Sequence, residues 1–268
     1  MKKYYENVIL ITRGILEKQH RNRMSLKREK GRNMNYVGID IGSTASKVVV
    51  EGDKKEHFVL PTGWSSKETC EKIKNKLLEM GVDVTSDDTK VVATGYGRIA
   101  VDFADHVITE ITCHARGAHF LDPKVRTVVD IGGQDSKGIR LNEDGSVKNF
   151  VMNDKCAAGT GRFLEMMART LGLSLEEMST KGLEWKENIV ISSMCTVFAE
   201  SEVVSLVAQN KDVADIIHGL NVSVASKVGA LAARLGKKNP GEYMMTGGVA
   251  KNPGIIKALE EKLDAKLY

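Results

Sequence analysis

The order of apolar and polar residues predicts a chain of alternating strands and helices. Short runs rich in valine and isoleucine predict strands at Tyr36–Ile41, Lys47–Glu51, His57–Pro61, Lys90–Thr94, Arg126–Ile131, Ser136–Leu141 and Glu242–Thr246. Longer stretches with apolar residues at helical spacing predict helices at Ser66–Met80, Arg162–Leu171, Thr196–Asn210, Val213–Leu235 and Pro253–Leu263. This alternation indicates an α/β fold whose sheets are covered by helices.

Local signals mark where several of these elements begin and end. Asn252 can cap the last helix, and Pro253 occupies a first helical position where its missing N–H costs nothing. Gly81 is suited to end the first helix. Asp144-Gly145 is typical of a hairpin turn and predicts one after the strand that ends at Leu141.

The basic charge of the chain is concentrated at its amino-terminal end. The formal net charge is +4, but residues 1–33 hold ten Lys/Arg against three Glu, so the other 29 basic and 32 acidic residues give −3. We expect residues 1–33 to be a disordered extension ahead of a natural start at Met34. The alternative is an anchor for nucleic acid or an anionic membrane.

Composition indicates an ordinary globular protein. Hydrophobic residues make up 42% and charged residues 28% of 268 residues, enough for one large domain or two lobes. No apolar run approaches the roughly 18 residues that a membrane span needs. Four cysteines without regular spacing do not suggest a secreted disulfide framework. We therefore expect a cytoplasmic protein with neither a membrane nor a nucleic acid as its partner.

An internal repeat places one motif at two strand-to-strand turns. Asp40-Ile-Gly-Ser-Thr-Ala-Ser-Lys47 and Asp130-Ile-Gly-Gly-Gln-Asp-Ser-Lys137 align as D-I-G-(S/G)-x-x-S-K, ninety residues apart. Glycines such as Gly132 and Gly133 let backbone N–H groups approach a phosphate. Asp40 and Asp130, at strand ends, suit a hydrated Mg²⁺. A purely structural duplication is the alternative, and the P-loop and G-x-G-x-x-G motifs are absent from these turns.

A third glycine-rich turn follows the last predicted strand. Met245-Thr-Gly-Gly-Val-Ala-Lys-Asn252 places Gly247 and Gly248 between that strand and a helix amino terminus. Such a turn can cover an adenosine or approach a phosphate, although a simple strand–helix connection has the same pattern. Together with the repeat, it completes a set of nucleotide-binding turns.

Two cysteines stand before predicted helices. Cys156 precedes Ala-Ala-Gly-Thr-Gly161 and a helix, and Cys195 precedes a second helix directly. A helix amino terminus favours a thiolate and bound negative charge. A cubane iron–sulfur cluster is normally held by four thiolates, so two identical chains could supply two each. The alternatives are two buried apolar thiols or a disulfide between them.

The other two cysteines are expected to be structural. Cys70 lies on the apolar stripe of the first predicted helix. Cys113 stands beside His114, a pair that can ligate zinc, but the chain has no second pair at suitable spacing.

The turns and the cysteine segments together resemble a known superfamily. The phosphate turns at Asp40 and Asp130 and the adenosine turn at 246–248 are similar to those of the acetate and sugar kinase, Hsp70 and actin superfamily. Over about residues 35–268, the chain resembles one branch of this superfamily, the activators of 2-hydroxyacyl-CoA dehydratases, which belong to the benzoyl-CoA reductase ATPase-subunit family. The segments that carry this resemblance are YVGIDIGSTASKVVV, VVDIGGQDSK, FVMNDKCAAGTGRFLEMMA, ISSMCTVFAESEV and MMTGGVAKNPG.

The resemblance implies a fold, cofactors and site residues. The fold would be a duplicated actin-like, ribonuclease H-like ATPase with lobes at approximately 34–125 and 126–268. Members are homodimers with a single 4Fe-4S cluster at the interface, which assigns cluster ligation to Cys156 and Cys195. Mg²⁺ and ATP would bind between the lobes, and Gln134 or Asp135 would orient the hydrolytic water. ATP contacts carry over to Ser43, Thr44, Ala45, Ser46, Lys47, Gln134, Asp135, Gly247 and Gly248.

The function implied is ATP-dependent electron transfer. A lobe shift would change the helix angles around the cluster, and the electron would pass to a 2-hydroxyacyl-CoA dehydratase or related acyl-CoA reductase. Ferredoxin or flavodoxin would recharge the activator. The alternatives are a small-molecule kinase of the same superfamily and a nucleotide-gated iron–sulfur sensor that binds nucleic acid through residues 1–33.

The chain departs from the family pattern at both ends. Residues 1–33 have no counterpart in that pattern. The family continues through a further strand and helix, whereas Leu263–Tyr268 begins a strand at the end of this sequence.

Overall fold

The computed structural model describes residues 34–52, 55–153, 156–192, 195–236 and 242–268, which form two compact units. The first unit comprises the described residues up to Pro123 together with Glu143–Ser146. The second comprises those within Lys124–Asn142 and Val147–Tyr268. The basic extension at residues 1–33 lies outside the described residues, so its disorder stays a prediction.

The first unit is built on a five-stranded sheet. Its strands are β1 (Asn35–Ile41), β2 (Ala45–Glu51), β3 (Glu56–Pro61), β4 (Thr89–Thr94) and β5 (His106–Val107), in the order β3-β2-β1-β4-β5. The helices are α1 (Ser66–Glu79) and α2 (Glu110–Leu121) among the residues described here. Because β1 runs antiparallel to β2 and parallel to β4, the turn after β1 and the end of β4 lie at the same edge of the sheet.

Helix α1 shows why its sequence folds as predicted. Ser65 caps it by accepting a hydrogen bond from the Glu68 N–H at 3.3 Å, and it is followed by Gly81 at a φ of +78°. The side chains of Cys70, Ile73 and Leu77 share one helical face and are buried against β1. The core position expected for Cys70 is confirmed.

The second unit is built on a four-stranded sheet in the order β8-β7-β6-β9. Its strands are β6 (Thr127–Ile131), β7 (Ser136–Leu141), β8 (Val147–Asn153) and β9 (Tyr243–Thr246). Its helices are α3 (Gly161–Thr170), α4 (Leu175–Lys181), α5 (Thr196–Ala208), α6 (Val213–Ala233) and α7 (Pro253–Leu263) among the described residues. Asn252 caps α7 by accepting from the Ile255 N–H at 3.1 Å, as predicted.

The duplication extends from the motif to both sheets. In each unit two antiparallel pairings join three consecutive strands, and the first of these strands also pairs in parallel with a fourth. Thus β6, β7, β8 and β9 repeat β1, β2, β3 and β4. The predicted α/β class is confirmed.

Helix α6 is the central helix of the second unit. By length and composition it could cross a membrane, but 61% of its most apolar window is buried within the protein, as is usual for a core helix. The sequence shows no uninterrupted apolar run here because Asp215, His218 and Lys227 divide the helix.

Apart from the strand expected to begin within Leu263–Tyr268, every predicted strand and helix is present within two residues of its expected ends. Among the described strands and α-helices, those that were not predicted are β5, β8, α2 and α4. The hairpin at Asp144-Gly145 joins β7 to β8. The strand expected to begin within Leu263–Tyr268 is a single parallel bridge between Leu267 and Tyr243, and Tyr268 accepts a hydrogen bond from the Met245 N–H at 2.9 Å.

Candidate functional site

The first candidate phosphate turn joins β1 to β2. Asp40 and Lys47 face each other across these strands, and the Lys47 ammonium donates to Asp40 Oδ2 at 2.9 Å. The ammonium lies 3.1 Å from where a Cβ of Gly42 would stand, so the glycine lets the cation approach the turn. A lysine cation beside backbone N–H groups suits a phosphate.

The hydroxyl groups beneath this turn support it. Thr62 Oγ1 donates to the Gly42 carbonyl at 2.7 Å and lies 2.8 Å from the Ser46 hydroxyl. Ser46 is fully buried. Of the residues predicted to contact ATP, Ser46 therefore has its side chain directed into the protein, whereas Ser43 and Thr44 are at least partly exposed.

The second turn, between β6 and β7, repeats this geometry in a buried form. Lys137 faces Asp130 across the strands, with its ammonium 3.5 Å from Asp130 Oδ2 and 2.7 Å from Asp135 Oδ2. Thr246, at the end of β9, donates its hydroxyl proton to Asp130 Oδ1 at 2.9 Å. Asp135 occupies the repeat position that Ala45 occupies in the first turn, so Lys137 faces two carboxylates instead of one.

The two residues predicted to position the hydrolytic water differ in exposure. Asp135 is buried and paired with Lys137, and its backbone carbonyl accepts a hydrogen bond from the Gly132 N–H at 2.9 Å. Gln134 is exposed at the tip of the turn. The geometry therefore gives Asp135 a role in shaping the turn and leaves the Gln134 side chain accessible to a ligand.

The adenosine turn also has a counterpart in the first unit. Gly247 follows β9 at a φ of +89°, and Gly95 follows β4 at a φ of +87°. A Cβ added to Gly247 would lie 2.6 Å from the carbonyl carbon of Ile131. A Cβ added to Gly95 would lie 2.6 Å from the carbonyl carbon of Ile41. Each glycine thus packs its backbone on the strand that carries Asp130 or Asp40. This is a position where only glycine fits.

Sequence reasoning missed this equivalence. The signal is a Thr-Gly dipeptide after an apolar run, at Thr94-Gly95 and again at Thr246-Gly247. Each dipeptide ends a strand (β4 or β9) that runs parallel to the strand carrying Asp40 or Asp130. The repeated unit therefore contains two segments that are separate in sequence, the D-I-G turn and the Thr-Gly turn. The first of those segments alone was recognised from the sequence.

The aspartates predicted to hold Mg²⁺ are not equally accessible. The Asp40 side chain is 18% exposed, and that of Asp130 is 4% exposed. Within the described part of the chain, no group of three or more His, Cys, Asp or Glu side chains could hold a metal ion. Mg²⁺ usually keeps several waters and takes phosphate oxygens as ligands, so the accessible Asp40 fits a hydrated ion better than Asp130 does.

Cys156 and Cys195 are both free and exposed. The alternatives of two buried thiols and of a disulfide are therefore wrong. Cys195 is the residue that precedes the first turn of α5. Cys156 is separated from α3 by residues 157–160, where Gly159 has a φ of +90°. The position directly before a helix thus holds for Cys195, whereas Cys156 precedes a tight turn and then a helix.

Lys227 of α6 interacts electrostatically with both cysteines. Burial lowers the pKa of Lys227, while the charges of the Cys156 and Cys195 thiolates each raise it in part. Its aliphatic stem packs 3.6 Å from the Cβ position of Gly159, and its ammonium lies 5.4 Å from the centre of the Phe163 ring. Lys227 was not singled out from the sequence, because nothing local connects it to the cysteines.

Burial raises the pKa of Cys70 to about 11 and that of Cys113 to about 12. Cys113 is 1% exposed on α2. Both thiols are therefore inert core groups at neutral pH, in agreement with the structural roles expected for them.

The chain matches known proteins over nearly its whole described length. The BadF/BadG/BcrA/BcrD ATPase family model matches residues 37–267. The activator of lactoyl-CoA dehydratase from Anaerotignum propionicum is 46% identical over 229 residues, which cover 84% of this chain and 87% of that protein.

Solved structures share the fold. Component A of Acidaminococcus fermentans (R)-2-hydroxyglutaryl-CoA dehydratase has a TM-score of 0.79 at 42% identity, over 87% of this chain and 90% of that one. The activator of the 2-hydroxyisocaproyl-CoA dehydratase from Clostridium difficile, with bound ADPNP, has a TM-score of 0.77 at 40% identity, over 87% of each chain. Ethanolamine utilization protein EutJ from Carboxydothermus hydrogenoformans, at 13% identity and a TM-score of 0.55 over 87% and 83%, is similar in fold alone. These likenesses confirm the duplicated actin-like ATPase fold.

Proposed function

The chain belongs to the BadF/BadG/BcrA/BcrD ATPase family, and we propose that it is an ATP-dependent activator of a 2-hydroxyacyl-CoA dehydratase or related acyl-CoA reductase. It would deliver a low-potential electron from one 4Fe-4S cluster shared by two copies of the chain. The observation that carries this proposal is that one unit holds both a phosphate turn and two exposed, free cysteines. A kinase would need the turn and not the cysteines.

The glycine turns are the proposed site of ATP. Lys47 offers a cation and the backbone of residues 43–45 offers N–H groups, while Asp40 would hold Mg²⁺ through water. The similar activator crystallised with ADPNP supports a nucleotide in this class of site. The other residues proposed to contact or support the nucleotide are Ser46, Asp130, Gly132, Gly133, Gln134, Asp135, Gly247 and Gly248.

Hydrolysis would depend on Gln134. Its exposed amide can hold a water both as donor and as acceptor. Asp135 would act indirectly, because its pairing with Lys137 keeps the turn in shape.

Cys156 and Cys195 fit half of the ligand set of an iron–sulfur cluster. Thiolates are the usual ligands of such clusters, both side chains are exposed and free, and the cation of Lys227 complements the negative charge of four thiolates and a cubane. When bound, the cluster supplies a one-electron donor of low potential. Cys156 and Cys195 would hold it, and Lys227 would partly neutralise it.

Helix α5 supports a second copy of the chain as the source of the other two thiolates. The residues that follow Cys195 on this helix expose apolar side chains, with Phe198 67% exposed. Exposed apolar patches commonly mark interaction sites. A two-fold axis beside Cys195 would cover the patch and bring in the same cysteine pair. The exposed apolar residues of α5 are Val197, Phe198, Val204 and Val207.

The test is anaerobic purification with iron, sulfide and mass determination. We expect one cubane per homodimer, lost in Cys156→Ala and in Cys195→Ala and retained in the matched control Cys70→Ala, whose thiol is buried. Reduced protein should then activate a 2-hydroxyacyl-CoA dehydratase in the presence of Mg·ATP. Ferredoxin or flavodoxin is the proposed donor, and the cytoplasm the proposed location. An iron-free monomer that phosphorylates a metabolite would contradict the proposal.

A further inference from the structure

We propose that the phosphate turn of the second unit controls the position of Cys156 through Gly161, a positioning residue at the start of α3. The purpose of this control rests on the proposed function, because it would let the nucleotide regulate access to a cluster. The contacts that carry the inference lie within one unit and involve only protein groups.

Helix α3 begins without a side-chain cap. The first N–H groups of a helix have no partner inside it and usually bond to the side chain of the preceding residue. Thr160 occupies that position, but its hydroxyl bonds to an earlier carbonyl and does not cap the helix. Instead, the Gly161 N–H donates to the Gly132 carbonyl at 2.8 Å. The Arg162 N–H donates to the Gly133 carbonyl at 2.9 Å. The phosphate turn itself therefore caps α3.

The duplicated unit shows that this cap is not a general property of the fold. Helix α1 also follows the third strand of its sheet. It is capped by its own Ser65 side chain, which accepts from the Glu68 N–H. The start of α1 is therefore satisfied locally, whereas the start of α3 is bonded to the phosphate turn of its unit.

The identity of Gly161 follows from this contact. Its φ is helical, so conformational freedom does not require glycine here. A Cβ at this position would lie 3.1 Å from Gly133 Cα and 3.2 Å from the Gly132 carbonyl oxygen. Both neighbours are backbone atoms, which cannot turn aside as a side chain can. Alanine would push the turn and the helix apart by a few tenths of an ångström and lengthen both hydrogen bonds.

Cys156 is tied to the same turn from its other side. The Asn153 side-chain amide donates to the Cys156 carbonyl at 3.1 Å. Asn153 pairs in the sheet with Ser136, the residue that follows the turn. Between Cys156 and the helix, the N–H and hydroxyl of Thr160 both bond to the Ala157 carbonyl, at 3.0 and 2.6 Å. A short, internally bonded segment thus joins the cysteine to both ends of the phosphate turn.

The same argument separates Cys156 from Cys195. Cys195 begins α5, which shares a hydrophobic core with α3, and a hydrogen bond between the two helices lies at the far end of α3, where Thr170 donates to Glu200 at 3.0 Å. A change in the turn on nucleotide binding therefore acts on Cys156 first. Cys195 serves as an internal reference in the same molecule.

The test measures thiol access in the full-length, cluster-free chain. Alkylation rates of Cys156 and Cys195 by iodoacetamide are followed by mass spectrometry with and without saturating Mg·ADPNP. We expect the nucleotide to change the Cys156 rate by about fivefold or more, the lower end of typical coupling between sites. The change at Cys195 should be smaller. In Gly161→Ala the nucleotide effect on Cys156 should fall below about twofold, with the nucleotide again at saturation.

The matched control is Gly172→Ala, which makes the same substitution just after the other end of α3, at a φ of +68° and in open space. It should retain the full nucleotide effect. Equal effects in Gly161→Ala and wild type, or no effect of nucleotide on Cys156 in the wild type, would overturn the inference.

A second measurement covers the case in which Gly161→Ala does not fold. Hydrogen exchange of wild-type protein should show nucleotide-dependent protection of the Gly161 and Arg162 amides, and unchanged exchange there would overturn the inference. The proposed function fails by a different result, the absence of iron from anaerobically purified protein. That result would leave the thiol measurement intact.

Discussion

Replacing Lys137 with methionine should destabilise the second unit much more than the same change at Lys47 destabilises the first. The two lysines occupy the same position of the repeat, so the chemistry removed is identical. Their surroundings differ. The side chains of Lys137, Asp130 and Asp135 are each at most 6% exposed, whereas those of Lys47 and Asp40 are 16% and 18% exposed.

The size of the difference follows from burial. Removing one partner of a buried ion pair typically costs about 3–5 kcal/mol, because it leaves an uncompensated charge. Lys137→Met leaves two buried carboxylates without the cation that they share, although Asp130 keeps the hydrogen bond from Thr246. The Lys47–Asp40 pair keeps some contact with water, so its loss should cost less, on the order of 1 kcal/mol and nearer the value for exposed pairs. We therefore expect the two variants to differ by at least roughly 2 kcal/mol in the free energy of opening.

Native-state hydrogen exchange measures the two units separately. Peptides that cover β6 and β7 report on Lys137→Met, and peptides that cover β1 and β2 report on Lys47→Met. Each variant is also its own control, since the unit without the substitution should keep its wild-type exchange rates. If the two substitutions lower the opening free energies by equal amounts, burial does not set the cost and the reasoning is refuted.

Four other predictions have defined outcomes. Gly247→Ala combines a positive φ with a collision against Ile131, so it should cost about 1–3 kcal/mol of stability and weaken ATP binding by calorimetry. Gly63→Ala, at positive φ in open space, should leave ATP affinity unchanged. In the native cluster-free chain at pH 8, alkylation should label only the two exposed cysteines, since burial raises the pKa of Cys70 to about 11 and that of Cys113 to about 12. Because both thiols have a higher pKa in the folded protein than the ordinary 9.0, the free energy of unfolding should be unaffected by their titration below pH 9 and should fall as the pH rises toward 11 and 12. Urea unfolding at a series of pH values would detect this loss. Lys227→Met should lower the reduction potential of a bound cluster by tens of millivolts, on the order expected for the loss of one nearby positive charge. Lys227→Arg keeps the charge and should leave the potential unchanged. Equal potentials for the two variants in a redox titration would contradict this prediction.

The elements that could be predicted from sequence carry local signals. β1 and β6 are strongly apolar and end in the same D-I-G motif, and α7 has both a capping asparagine and a first-turn proline. The helices that were missed have weaker ones. Helix α2 buries small residues such as Ala115, Gly117 and Ala118, and α4 has only seven residues. Yet Ser174 and Glu177 form a capping box at α4, a signal that was available in the sequence.

The parts of the site that could not be predicted depend on distant residues. Within their motifs, Lys47 and Lys137 differ in the residue two positions before them, Ala45 or Asp135, which does not by itself predict burial. Their different burial involves Asp135 and also Thr246, which reaches Asp130 from 116 residues along the chain. The electrostatic interaction of Lys227 with the two cysteines likewise follows from the packing of α6 and from no local pattern.

The two halves of the duplication differ most between their third and fourth strands. In the first unit α1 lies between β3 and β4. In the second, the described residues between β8 and β9 form α3 to α6 and carry both exposed cysteines. The nucleotide turns belong to the repeated sheets, whereas the cysteines belong to the longer segment between the third and fourth strands of the second sheet.

A signal from ATP to the cysteines must therefore pass from the sheet to this segment. The start of α3 touches the phosphate turn directly, at the hydrogen bonds from Gly161 and Arg162. Because α1 is capped by its own serine, the first unit lacks these cap contacts among its described residues, and we expect the phosphate turn at Gly132–Gly133 to dominate the control of Cys156.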